Sequence, residues 1–272
     1  MSSLSRRTLI AAAVLVLAVG GAFGVRALWN AAASHFSSEG CTVGRFDVDT
    51  SQAAVASTMV GVVSKRALPE RAAVLVLAAG LQESKLRNLA PGAGDRDSVG
   101  VLQQRPSQGW GHGDASKLTS VAEATTEFLD ALLKVADWQH LDLAVAIQDV
   151  QISADGGAYT QHEPEAQALS RALMGTQPAA ITCSFSKPTT VAPAATVAVQ
   201  VARDLPVRVP TTGALTVRVP GASWQTAAWF VANADRLGID KVAYNAKQWT
   251  RTKGWRPSSA PATAVVATLY RT

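Results

Sequence analysis

"PERAAVLVLAAGLQESKLRNLAPGAGDRDSVGVLQQRPSQGWG", from Pro69 to Gly111, decides how the rest of the chain is read. Its first half predicts a helix opened by Pro69 and Glu70, apolar as far as Leu81 and ending at Glu83 and Ser84. Its second half belongs to a polar, turn-rich stretch of about 88–118, longer than most loops in a compact domain, and such loops often carry function. A glutamate near a helix end is usually solvated. Here, with Leu77, Ala79, Leu81 and Leu86 as neighbours, Glu83 is placed at the edge of the core. Burial disfavours the charged carboxylate, so the group holds its proton to higher pH, which is what a general acid needs.

Periodic apolar segments lie on both sides of this stretch. Residues 51–67, 119–135, 142–153 and 164–175 all have helical spacing; Ser120 and Glu123 form a capping-box pair, and Gly175 closes the last helix. Cys41 and Cys183 bracket the set and read as one disulfide tying its ends. Residues 41–183 are therefore expected to be a mainly helical domain. From Ser184 to about residue 212 the chain is rich in Ser, Thr, Pro and Ala and reads as a linker. Residues 213–272 show strand alternation in "LTVRV", a helix in "WQTAAWFVANADRLG" and further strands in "KVAY" and "ATAVVATLY", which makes a small α+β module.

The N-terminal thirty residues carry "LIAAAVLVLAVGGAFGV", Leu9 to Val25, behind Arg6 and Arg7. This predicts either a transmembrane signal anchor, with Trp29 at the interface, or a signal peptide cut near Ala31–Ala33, and residues 31–40 form a stem. Both place the bulk of the chain beyond the cytoplasmic membrane, as a single-pass protein or a secreted one. Formal charge is distributed unevenly: residues 1–40 hold 3 Lys+Arg and 1 Asp+Glu, residues 41–183 hold 11 and 16, and residues 184–272 hold 11 and 3. The basic C-terminal part suits an anionic polymer of the wall, and export excludes nucleic acid.

The Glu83–Ser84 pair on a helix, followed by Gly100-Val101-Leu102-Gln103-Gln104, resembles the goose-type lysozyme and soluble lytic transglycosylase family. "LQESKLRNL", "GDRDSVGVLQQRPSQGWG" and "EPEAQAL" look like a group of exported, lysozyme-like wall proteins of actinobacteria. The resemblance implies a mainly α lysozyme-like domain of the α+β superfamily. Together with the other readings, it gives a fold class of that domain plus a small C-terminal α+β module and an N-terminal transmembrane helix. It also implies cleavage of peptidoglycan glycan strands, with Glu83 as catalytic acid/base, Ser84 as its supporting hydroxyl and Gln103 in contact with sugar. Gln104 and Ser98 belong to the same segment as Gln103, and these three with Ser84 are expected at the substrate site. The family's Tyr-Asn motif has no clean match: Gln151 is nearest to its asparagine, and Tyr159 is an aromatic contact. Trp110, set among small polar residues, is a candidate for stacking on sugar. Asp95 and Asp97 offer a second carboxylate for a hydrolytic route, although "GDRD" also reads as a solvated turn.

The end of the chain resembles a wall module related to D-alanyl-D-alanine carboxypeptidase-like zinc peptidases, with "AVVATLY" where that family has a histidine-bearing strand. All four histidines precede residue 163, so no His-ligated zinc can be assembled there, and no metal or cofactor is expected. Trp224, Trp229, Trp249 and Trp255 are read either as a binding surface or as core. The expected partners are peptidoglycan, anionic wall polymers and, through the N-terminal helix, the cytoplasmic membrane. The alternative to an enzyme is a non-catalytic wall-binding or scaffold protein built from degenerate enzyme domains.

Overall fold

The helix begun at Pro69 is the centre of the molecule, because all ten residues from Ala72 to Leu81 are buried. In the computed structural model, residues 39–151, 156–221 and 223–271 are described, and Glu39–Thr272 forms one compact unit. The chain runs β1 (Gly40–Val43), β2 (Phe46–Val48), α1 (Thr50–Lys65), α2 (Glu70–Ser84), α3 (Ala115–Leu118), α4 (Val121–Leu132), α5 (Leu143–Gln151) and α6 (Glu163–Met174). It continues through β3 (Ile181–Ser184), α7 (Ala194–Asp204), β4 (Thr211–Thr212), β5 (Thr216–Pro220), α8 (Trp224–Ala232), α9 (Ala234–Leu237), β6 (Ile239–Tyr244), β7 (Lys247–Thr250), β8 (Gly254–Pro257) and β9 (Ala264–Leu269). Short 3-10 turns stand at Pro106–Gln108, Trp110–Gly113 and Gly156–His162.

Local chemistry sets the ends of these helices. Asp49 and Gln52 make a reciprocal capping box at the start of α1, with the Asp49 N–H donating to Gln52 Oε1 at 2.7 Å. Ser120 accepts from the Glu123 N–H at the start of α4, and Gly175 closes α6 in the left-handed conformation. At the end of α2 Lys85 and Leu86 are both left-handed, and their N–H groups close back on Leu81 and Gly80.

Both sheets are antiparallel. The smaller has the order β2-β1-β3, and Cys41 lies directly opposite Cys183 in it, so the two cysteines form a cross-strand disulfide. The larger has six strands in the order β4-β5-β9-β6-β7-β8.

This architecture corrects the expected fold class. The chain is α+β with two antiparallel sheets, rather than a mainly α domain followed by a separate small module. One hydrophobic core runs from Val60, Leu75 and Phe128 into Trp229, Phe230 and Val265. The stretch that reads as a linker contains α7, whose Val197 and Val201 are buried, and Gly61 of α1 approaches α7 so closely that a Cβ there would lie 2.5 Å from the Asp204 carbonyl oxygen. The reason is that α8 is apolar on every side: its residues Thr226–Ala232 are all buried, which requires cover from helices as well as from the sheet.

The transmembrane helix expected at Leu9–Val25 lies outside the described residues. Among the described residues no helix is long and apolar enough to cross a membrane, so the described structure, α+β with two antiparallel sheets, does not supply the membrane helix of the expected fold class or of the single-pass localisation.

Candidate functional site

Helix α2 delivers its last three residues, Gln82, Glu83 and Ser84, to the edge of the core, and each is held by a different partner. Glu83 is half-buried. The hydroxyl of Tyr159, itself 1% exposed, donates to Glu83 Oε1 at 2.6 Å. Burial pushes the Glu83 carboxyl above the ordinary glutamate value, and the Tyr159 hydrogen bond opposes it only partly.

Ser84 works on the loop. Its Oγ donates to the Val101 carbonyl at 2.8 Å and accepts the Arg87 N–H at 3.0 Å. Gln151 Nε2 donates to the next carbonyl, Leu102, at 3.0 Å. The side chains of Val101 and Leu102 are fully buried, so this segment is fixed by apolar anchors below and by two side-chain bonds to its backbone. Ser84 and Gln151 are thereby placed as braces of the loop.

The two glutamines that follow part company. Gln103, in the left-handed conformation and half-buried, turns back on its own loop: its Nε2 donates to the Gly100 carbonyl at 2.9 Å, and its Oε1 fills the space where a Cβ on Gly94 would stand. Gln104 is 2% exposed and donates to the Ala124 carbonyl at 3.3 Å, which puts it in the core against α4. Ser98 is 8% exposed, and Trp110 is half-buried against the core. Of the sequence candidates, only Tyr159 hydrogen-bonds Glu83 directly.

Asp97 is occupied elsewhere. The hydroxyl and the amide of Ser107, then the Arg105 guanidinium at 2.7 Å, hold its carboxyl far below the usual carboxylate range. Asp95 is exposed beside Arg96.

Three residues escaped the sequence reading. Gln82 Oε1 accepts from Gln161 Nε2 at 3.2 Å and faces His162 Nε2 at 3.0 Å, and burial lowers the pKa of His162. With the bond from Tyr159, these contacts clasp the 3-10 turn Gly156–His162 onto the end of α2. Their only signal in sequence is the adjacency of Gln82 to Glu83 and of "TQH" to Tyr159.

Among the described residues no three His, Cys, Asp or Glu side chains stand together in a way that would hold a metal ion. Trp229 and Trp249 are buried in the core, and Trp224 and Trp255 pack against it half-buried. Two cavities, of about 970 and 520 Å³, are lined by other residues than Glu83. No protein-family model matches the chain, and no curated protein matches it.

Proposed function

We propose that the protein cleaves the glycan strands of peptidoglycan, with Glu83 as the single general acid/base. The observation that carries this reading is a half-buried carboxyl at the end of a helix buried from Ala72 to Leu81, raised in pKa by desolvation and fixed in orientation by a buried tyrosine hydroxyl. Because Tyr159 donates to Oε1, the proton of the neutral acid belongs on Oε2, free to be given to a glycosidic oxygen. As that C–O bond breaks, the leaving oxygen takes the proton and the sugar carbon gains oxocarbenium character. The Glu83 carboxylate then removes a proton from the attacking O–H, which is either a hydroxyl of the same sugar, giving an anhydro end, or water. One carboxyl suffices for the first route, and the commitment of Asp97 to Arg105 and Ser107 supports it over a two-carboxylate scheme.

Full-length protein incubated with purified sacculi should release soluble, anhydro-ended muropeptides. Glu83→Gln, nearly the same in shape, should lower release by at least about a hundredfold, the scale of one lost general acid, without loss of fold. Equal release by the variant would overturn the assignment. Sedimentation with sacculi without any release would favour the non-catalytic wall-binding reading instead.

A further inference from the structure

The larger cavity, about 970 Å³, is a groove between the start of α1, the start of α4, α7 and α9. Its walls carry hydroxyl and amide groups from Thr50, Ser51, Thr58, Asn88 and Gln200, two guanidinium groups, Arg203 and Arg236, and two carboxylates, Glu123 and Asp235. The second cavity continues from it, sharing Thr58, Ala122 and Arg203.

The two arginines are held in place but not used up. Arg236 donates through Nε to Asn233 Oδ1 at 2.7 Å and through Nη1 to Gln200 Oε1 at 2.6 Å, and its guanidinium lies 5.9 Å from the centre of the Trp229 ring. Arg203 donates through Nε to Asp204 Oδ1 at 2.7 Å, and among the described residues its two terminal nitrogens have no acceptor. Burial lowers the Arg236 pKa, the Asp204 carboxylate opposes this, and the like charge of Arg203 adds to the lowering, so the two cations act on each other. The nearby acids are largely engaged: Asp204 also accepts from Trp229 Nε1, and Asp235 pairs with Arg251. Glu123 is exposed in the first turn of α4. Arg236, fixed by two hydrogen bonds, and the exposed Arg203 both keep open donors in a concave site whose two carboxylates are Asp235, paired with Arg251, and Glu123, at the exposed start of α4. With the hydroxyl and amide groups around them, the two guanidinium groups suit an anionic oxygen group carried on a polyhydroxyl body.

We propose that this groove binds a sugar unit bearing a phosphate or a carboxylate, with Arg203 and Arg236 on the anionic group and the surrounding hydroxyl and amide side chains on the sugar. Glu83 does not line this groove, and the proposal does not depend on the reading of that residue.

The test is titration of the full chain with glucose 6-phosphate, glucuronate, glucose and inorganic phosphate at low salt, followed by amide chemical shifts. At least one charged sugar should bind roughly tenfold or more tightly than glucose and than inorganic phosphate, with the largest shifts in residues 50–58 and 119–123. Preference between the two charged sugars identifies the anionic group as phosphate or carboxylate. Ser51→Glu places a like charge in the groove at an exposed early position of α1, where an acid suits the helix, so it should fold normally and weaken binding about tenfold. Arg203→Gln should do the same. Equal binding of glucose, equal binding of inorganic phosphate, shifts centred elsewhere, or a Ser51→Glu protein that binds like the wild type would each overturn the proposal.

Discussion

Two opposed influences meet on the Glu83 carboxyl: burial, which raises its pKa, and the Tyr159 hydroxyl, which lowers it, with burial the larger. The folded state therefore binds this proton more tightly than the unfolded chain does. Stability from this group is complete below the unfolded pKa, falls as pH rises between the two values, and is lost above the folded one. Glu83→Gln removes the charge and keeps an acceptor for Tyr159. At pH 7–8 the variant should melt higher than the wild type, on the order of 1–3 °C, and the difference should vanish in acid, as read by calorimetry across pH. At this scale the sequence was informative where one helix sets the environment, as at Glu83. It was uninformative for Gln103 and Gln104, since which of two adjacent residues faces the core depends on a left-handed turn at Gln103 that no side-chain pattern announces.

Among the elements, α1 and α7 approach each other through Gly61, where a Cβ would lie 2.5 Å from the Asp204 carbonyl oxygen. In an isolated helix, Gly→Ala would stabilise by about 1 kcal/mol. Here the obstacle is backbone that cannot swing aside, and overpacking costs typically about 1–3 kcal/mol. Gly61→Ala should thus destabilise the protein by about 1–2 kcal/mol in urea unfolding, and a stabilised variant would refute the contact. Helix α7 was hidden because Pro193, Ala194, Ala195 and Thr196 weigh the local composition toward a linker. The buried Val197, Ala198 and Val201 are too few to stand out until α1 and α8 supply their cover. By contrast, α2 was plain from its unbroken apolar run. In β5 the alternation of "TVRV" puts Val217 and Val219 inside and Arg218 outside, as the pleat requires.

Across the whole molecule, the two halves of the chain are joined by bonds between residues far apart in sequence. Trp249 Nε1 donates to the Cys183 carbonyl, Trp255 Nε1 to the Ile181 carbonyl, and Asn233 Nδ2 to Ser57 Oγ. Such pairings leave no local periodicity, which is why residues 41–272 read as two domains while Glu39–Thr272 forms one compact unit. The Cys41–Cys183 bridge spans 142 residues, and the chain-entropy model assigns a loop of that size about 4–5 kcal/mol. Replacing both cysteines by serine should lower the unfolding free energy by up to that amount, and a single cooperative transition should persist, because the helices and the large sheet share their core. Helix α2 adds a further consequence. Having no exposed flank between Ala72 and Leu81, it offers no place from which to fray, so the amides of this stretch should exchange with deuterium only when the whole core opens. Their exchange should be the slowest in the protein, and the carboxyl at the end of that helix is thereby tied to the longest-lived part of the fold.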